Sequence, residues 1–213
     1  AAFTAPTVFP WTSTAASIWT GLGGPGAYLG TNDKTIIQAG LEFDSTNFAV
    51  AVSAIKEYYA SNGGACQGYY CGIPINVTSG DSIVTEVWAC DSSGRINAKG
   101  GYGCFWMMDS SSNPQQVVSC TTPTDPNCKS VAAVTPYMGT TAEFIVERHP
   151  PSLFSFFGNT TMGISVADTG LNLRTFGTDV PVTFDMLNDA GSPLMTSAID
   201  GNSGIQFKWL AFQ

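Results

Sequence analysis

The sequence predicts an all-β fold, an antiparallel sandwich of the jelly-roll type with one concave face, and three observations predict it. Short apolar or alternating runs recur along the 213 residues, separated by Gly, Pro, Asn, Asp and Ser. Charged residues make up 11% against 44% hydrophobic, far below the roughly 25% charged share of an average domain, so Ser, Thr, Asn, Gln and Gly must supply the polar surface. The most helix-like stretch, "NFAVAVSAIKEYYA", is β-branched and aromatic and lacks a convincing cap, which favours a strand. Almost no helix is expected.

The expected strands, in order, are "ASIWTGLGG", "KTIIQAGLEF", "FAVAVSAIKEYY", "DSIVTEVWAC", "AEFIVER", "TMGISVA", "VPVTFDML", "PLMTSAI" and "GIQFKWLAF". Side chains of a strand alternate between its two faces. In "TIIQAGLEF", Thr35, Ile37, Ala39, Leu41 and Phe43 therefore suit the core between sheets, leaving Ile36, Gln38, Gly40 and Glu42 on the other face. Trp19 alternates with Ile18 and Thr20 and is expected to point outward. Glu57 shares a face with Ile55 and Tyr59, and Glu143, Ile145 and Glu147 share one opposite Phe144 and Val146. An outward Trp, a Gln and several carboxylates are thus expected on one concave sheet face.

Residues 110 to 138 become rich in Ser, Thr, Pro and Asn and read as a long excursion stapled by Cys120 and Cys128, so residues 1–213 are taken as one domain. The six cysteines, Cys66, Cys71, Cys90, Cys104, Cys120 and Cys128, form an even set without the CxxC spacing of zinc or redox sites. Disulfides and an oxidising compartment follow, with a sequential pairing of 66 to 71, 90 to 104 and 120 to 128 as the working choice among about fifteen connectivities. The sequons Asn76-Val77-Thr78 and Asn159-Thr160-Thr161 agree with a secreted, extracellular glycoprotein. The opening "AAFTAP" has neither a charged n-region nor an apolar h-region, and the chain reads as mature.

Composition excludes several functions. A net charge of −8 without a Lys/Arg cluster argues against nucleic acid or an anionic membrane as partner, and there is no apolar run long enough for a membrane span. With eight Lys plus Arg and one His, little positive charge remains once carboxylates are protonated, which suits an acidic medium. The lone His149 adjoins a Pro-Pro turn and reads as a turn residue rather than half of a Ser-His or Cys-His pair. No metal or cofactor is expected, since one His and paired cysteines leave too few ligands. "GLGGPG" resembles a phosphate loop in composition alone and reads as a turn.

Carboxylates and amides on a sheet face remain. Taken alone, Glu42, Glu57, Glu143 and Glu147 read as solvated strand residues, Gln38 as a cross-strand amide and Trp19 as sheet packing. One pattern that would raise them is the paired glutamates of concanavalin-like glycoside hydrolases, using Glu143 and Glu147, although Ile145 stands where such strands carry Asp. A non-catalytic carbohydrate-binding sandwich, with Trp19, Tyr58 and Tyr59 in the cleft, is another.

A third pattern fits better. "ASIWTGLGG", "TIIQAGLEF" and "TTAEFIVER" resemble, in order, the blocks W-V-G-I-D-G, I-L-Q-T-G and A-E-F/W-I-V/I-E-D of the eqolisin family of glutamic peptidases. The resemblance spans residues 17 to 148 discontinuously. It implies a catalytic pair of Gln38 and Glu147, with Trp19 and Glu57 binding or orienting substrate, in an acid-active, pepstatin-insensitive endopeptidase acting on polypeptides. Gly23 replaces the family's Asp in the first block, Ile55 an aromatic near Glu57, and Arg148 the Asp after the last Glu. The family's two-chain processing leaves room for a separate N-terminal segment, and a monomer is expected.

Overall fold

In the computed structural model the described residues are 1–9, 14–23, 36–46, 49–59, 73, 75–97, 102–112, 114–120, 142–148, 153–154, 160–163, 166–167, 173–174, 185–188, 190–201 and 204–210. Among them there is no helix, and the strands build two main sheets.

The larger sheet is assembled from strands distant in sequence. Its order runs β13 (Met186–Leu187), β14 (Pro193–Asp200), β15 (Gly204–Trp209), β10 (Thr160–Gly163), β1 (Ala2–Thr4), β5 (Ser82–Cys90), β6 (Tyr102–Asp109) and β7 (Gln116–Cys120). Each of its neighbouring pairs is antiparallel. The smaller sheet has the order β4 (Ala49–Tyr59), β3 (Ile36–Thr46), β2 (Thr14–Gly23) and β8 (Ala142–Arg148), also antiparallel. Here β9 (Leu153–Phe154) adds a two-residue parallel pairing to β2, a departure from a purely antiparallel sandwich. A separate pair, β11 (Val166–Ala167) with β12 (Leu173–Arg174), completes the described strands.

Alternation decides which face of the smaller sheet enters the core. Ile37, Ala39, Leu41 and Phe43 of β3 and Ile18 of β2 are all fully enclosed. They share one apolar cluster with Ile83, Phe105 and Met107 of the larger sheet. Each of the Ile, Leu, Phe and Met side chains contributes about 1.5–3 kcal/mol by leaving water, so this layer outweighs any single polar contact between the sheets. One buried polar bridge does cross it, the Thr85 hydroxyl to the Thr20 hydroxyl at 2.7 Å.

Several expectations are refined. The stretch "NFAVAVSAIKEYYA" does contain a strand, β4. Strand β6, "YGCFWMMD", lies outside the expected set; its Cys, Met and Gly content lacks the β-branched signature, yet it pairs in full register with β5. The excursion after residue 110 is not all loop, because β7 within it pairs with β6. Cys90 and Cys104 are bridged, with Cα atoms 6.0 Å apart, tying the end of β5 to β6. The other two expected bridges, His149, Asn159 and the second half of "GLGGPG" lie outside the described residues. Asn76 and Thr78 of the first sequon are exposed.

Candidate active site

Directly opposed residues in antiparallel strands share a face, so the pairings of β3, β2 and β8 define rows across the non-core face of the smaller sheet. The first row is Gln38, Gly21, Glu143; the second is Gly40, Trp19, Ile145; the third is Glu42, Ser17, Glu147. Strand β4 extends them, with Glu57 opposite Gln38, Ile55 opposite Gly40 and Ser53 opposite Glu42. All four sequence-predicted site residues, Trp19, Gln38, Glu57 and Glu147, therefore occupy one face although they come from four strands.

Two of them touch. The Trp19 indole Nε1–H donates to Glu147 Oε2 at 3.1 Å. Their pairing is diagonal, from the second row of β2 to the third row of β8, a span of about 7–8 Å that a long side chain covers. The indole is buried at 3% exposure, whereas Glu147 is exposed. An immobile donor thus holds one oxygen of a carboxylate that solvent and ligand can reach.

Gln38 stands on the other side of β2, two rows from Glu147. The position across from it is bare: a Cβ on Gly21 would lie 3.4 Å from Gln38 Cβ and 3.7 Å from its Oε1, ordinary contact distances. Gly40, opposite Trp19, differs. A Cβ there would fall 1.9 Å from the Ile18 carbonyl oxygen and 2.9 Å from Trp19 Cα, so only glycine permits the close approach of β3 to β2 beside the indole.

The expectation that this face is open needs correction. Trp19, Gln38 and Glu42 are 3%, 4% and 3% exposed, so they are enclosed rather than outward to solvent. Both β2 and β3 are interior strands flanked on each side, and alternation reports only the face, not what covers it. Glu42 is accordingly not a solvated residue, and neither its burial nor its place in the Glu147 row was anticipated; the shared parity of Gln38 and Glu42 was its one sequence signal. Among the described residues, no group of three or more His, Cys, Asp and Glu is placed to hold a metal.

Chemically, the face presents a carboxylate oriented by an indole and, across β2, a primary amide beside a bare glycine. A carboxylate can accept a proton from water, and an amide can donate to a developing oxyanion without titrating.

Known proteins point the same way. The family model described as the peptidase A4 family matches residues 1–209. No curated protein matches the chain. Among solved structures, aspergilloglutamic peptidase from Aspergillus niger is similar at 22% identity and a TM-score of 0.63, over 92% of this chain and 99% of that one. Scytalido-glutamic peptidase with a peptide-based transition state analog is similar at 15% identity and a TM-score of 0.59, over 99% of this chain and 90% of that one. The same peptidase with a transition state analog inhibitor gives 12% identity and a TM-score of 0.54, with the same coverage. At these identities the structural likeness establishes a shared fold.

Proposed function

The chain belongs to the peptidase A4 family, the glutamic peptidases, and we propose that it is a secreted acid endopeptidase in which Glu147 activates water and Gln38 stabilises the oxyanion. The observation that carries this reading is the Trp19 to Glu147 hydrogen bond on the face that Gln38 shares. Glu147 takes a proton from water as its oxygen attacks the scissile carbonyl carbon. Gln38 donates its side-chain N–H to the resulting oxyanion. The same proton then passes from Glu147 to the leaving amine nitrogen as the C–N bond breaks, which restores the carboxylate. Trp19 keeps the base oriented throughout, and Glu57, opposite Gln38, orients the amide side of the site. Family membership favours this chemistry over the two carbohydrate-directed readings.

The test is cleavage of an unfolded polypeptide at acidic pH, with pepstatin present. Wild type should cleave, Glu147→Gln should not, and Gln38→Ala should lose on the order of 100-fold or more in kcat, the cost of one oxyanion donor. No cleavage by wild type at any pH, or equal cleavage by wild type and Glu147→Gln, would overturn the reading.

One register relation favours a second assignment of the base. Glu143 stands directly across Gly21 from Gln38, whereas Glu147 is two rows along. Loss of cleavage in Glu143→Gln with retention in Glu147→Gln would move the base to Glu143.

A further inference from the structure

The larger sheet ends on two unlike edges. At one, β13 is two residues long and its register with β14 shifts between Met186 and Leu187; short, irregular edges resist pairing with a further strand. At the other, β7 runs for five residues in unbroken register with β6, and no described strand lies beyond it. Its sequence, QVVSC, holds no charge and no proline, and Val117 is 50% exposed. The strand itself carries none of the devices that guard an edge.

The segment 75–77 sits against the start of that strand. Ile75 and Val77 are buried in the core cluster and Asn76 between them is exposed, so alternation turns the asparagine outward. The Gln116 side chain, at the first position of β7, fixes it there. Asn76 N–H donates to Gln116 Oε1 at 3.0 Å, and Gln116 Nε2 donates to the Asn76 carbonyl at 3.1 Å. Both bonds use the Asn76 backbone and leave its side-chain amide outside. Thr78 is exposed as well, and its hydroxyl donates to Asp81 Oδ2 at 2.9 Å within the turn that follows. The sequon Asn76-Val77-Thr78 is thus held at the rim of the sandwich with its acceptor nitrogen beside β7.

From this placement we infer that Asn76 carries an N-linked oligosaccharide and that the glycan covers the free edge at β7. The inference rests on the secreted route of the proposed function and not on its catalytic assignment. The donor is an oligosaccharide carried on a lipid diphosphate. The Asn76 amide nitrogen bonds to the anomeric carbon and gives up one proton, while the bond from that carbon to the diphosphate oxygen breaks and the lipid diphosphate leaves. A bulky, hydrated group fixed beside Gln116 keeps a second chain from adding a strand along Val117. It does for β7 what shortness and irregular register do for β13.

The test uses the full chain secreted from a eukaryotic host behind that host's own signal peptide. An endoglycosidase that leaves a single N-acetylglucosamine marks each modified asparagine, and peptide mapping by mass spectrometry should find the mark on Asn76. Asn76→Gln and Thr78→Ala should abolish it, and Thr78→Ser should retain it. Light scattering at high protein concentration reads the edge. Glycosylated wild type should stay monodisperse, while Asn76→Gln and the enzymatically trimmed wild type should shift to the mass of dimers and larger species. Adding Val117→Lys, which puts a charge on the edge strand, should return Asn76→Gln to the wild-type mass. The trimmed wild type carries the test if Asn76→Gln does not fold. An unmarked Asn76 would overturn the site. Unchanged scattering after loss of the glycan, or association that Val117→Lys does not relieve, would overturn its role at the edge. Neither readout involves cleavage, so both stand if the peptidase reading falls.

Discussion

Trp19 reaches diagonally across the β2 and β8 pair to set its indole N–H 3.1 Å from Glu147 Oε2. The donor is buried and the acceptor exposed, so the bond organises the carboxylate more than it stabilises the fold. Trp19→Phe keeps most of the apolar contact and removes only the donor. A hydrogen bond to a charged group is worth about 1.5–3 kcal/mol, which corresponds to a fall in kcat of roughly 10- to 150-fold, with a much smaller change in unfolding midpoint. Steady-state kinetics beside denaturant unfolding check this; matched losses in activity and stability would show that Trp19 is mere packing.

The two glycines facing the site should behave in opposite ways. At Gly40 an added Cβ meets the Ile18 carbonyl oxygen at 1.9 Å, and backbone cannot step aside as a flexible side chain can. Gly40→Ala must push β3 away from β2 and should cost about 1–3 kcal/mol or more, as overpacking does, together with most of the activity. At Gly21 the nearest atom is Gln38 Cβ at 3.4 Å, so Gly21→Ala should fold normally while crowding the Gln38 amide, raising KM or lowering kcat. Thermal unfolding and kinetics on the pair test the contrast, which fails if both alanines unfold alike.

The Thr85 to Thr20 bridge makes a sharper stability prediction. Both hydroxyls are buried, and each is oriented to the other at 2.7 Å between the sheets. Thr85→Val deprives the Thr20 hydroxyl of this partner, which costs about 1–3 kcal/mol. Converting both to Val removes the polar pair altogether and should recover much of that loss. Denaturant midpoints for the two single variants and the double form a cycle; additive losses would mean that the hydroxyls are not coupled.

How far these features were legible in the sequence depends on whether they are local. Alternation in "TIIQAGLEF" sorted Ile37, Leu41 and Phe43 into the core and Gln38 and Glu42 onto the other face, as the structure has them. The family blocks then brought Trp19, Gln38, Glu57 and Glu147 together on grounds that periodicity lacks. Strand order is set by pairings over more than a hundred residues, so no local pattern shows that β2 lies between β3 and β8. The diagonal reach of Trp19 and the row joining Glu42, Ser17 and Glu147 follow from that order. Burial of the face is equally non-local, which is why Glu42 read as solvated. The strand β6 escaped for a different reason, because Met and Cys fill a core as well as Val and Ile but carry no strand signal of their own.

Acid tolerance offers the last prediction. Asp109 Oδ1 accepts from Ser111 N at 3.0 Å, Ser111 Oγ at 2.9 Å and Ser112 N at 3.2 Å. Burial pushes this carboxyl up, but the bonds from Ser111 and Ser112 outweigh it and hold it below the ordinary aspartate value. A carboxyl depressed in the folded state stabilises the fold fully above the unfolded value of about 3.9, and that contribution is lost only as pH falls through the lower folded value. The turn at the end of β6 should therefore stay intact across the moderately acidic range in which the proposed chemistry operates. Asp109→Asn removes the charge and weakens these bonds, costing about 1–3 kcal/mol at neutral pH. Below the ordinary carboxylate range the wild type loses the same contribution, so the two proteins should converge. Urea unfolding from pH 7 downward follows the gap directly; a difference between wild type and Asp109→Asn that is constant with pH would refute the assignment.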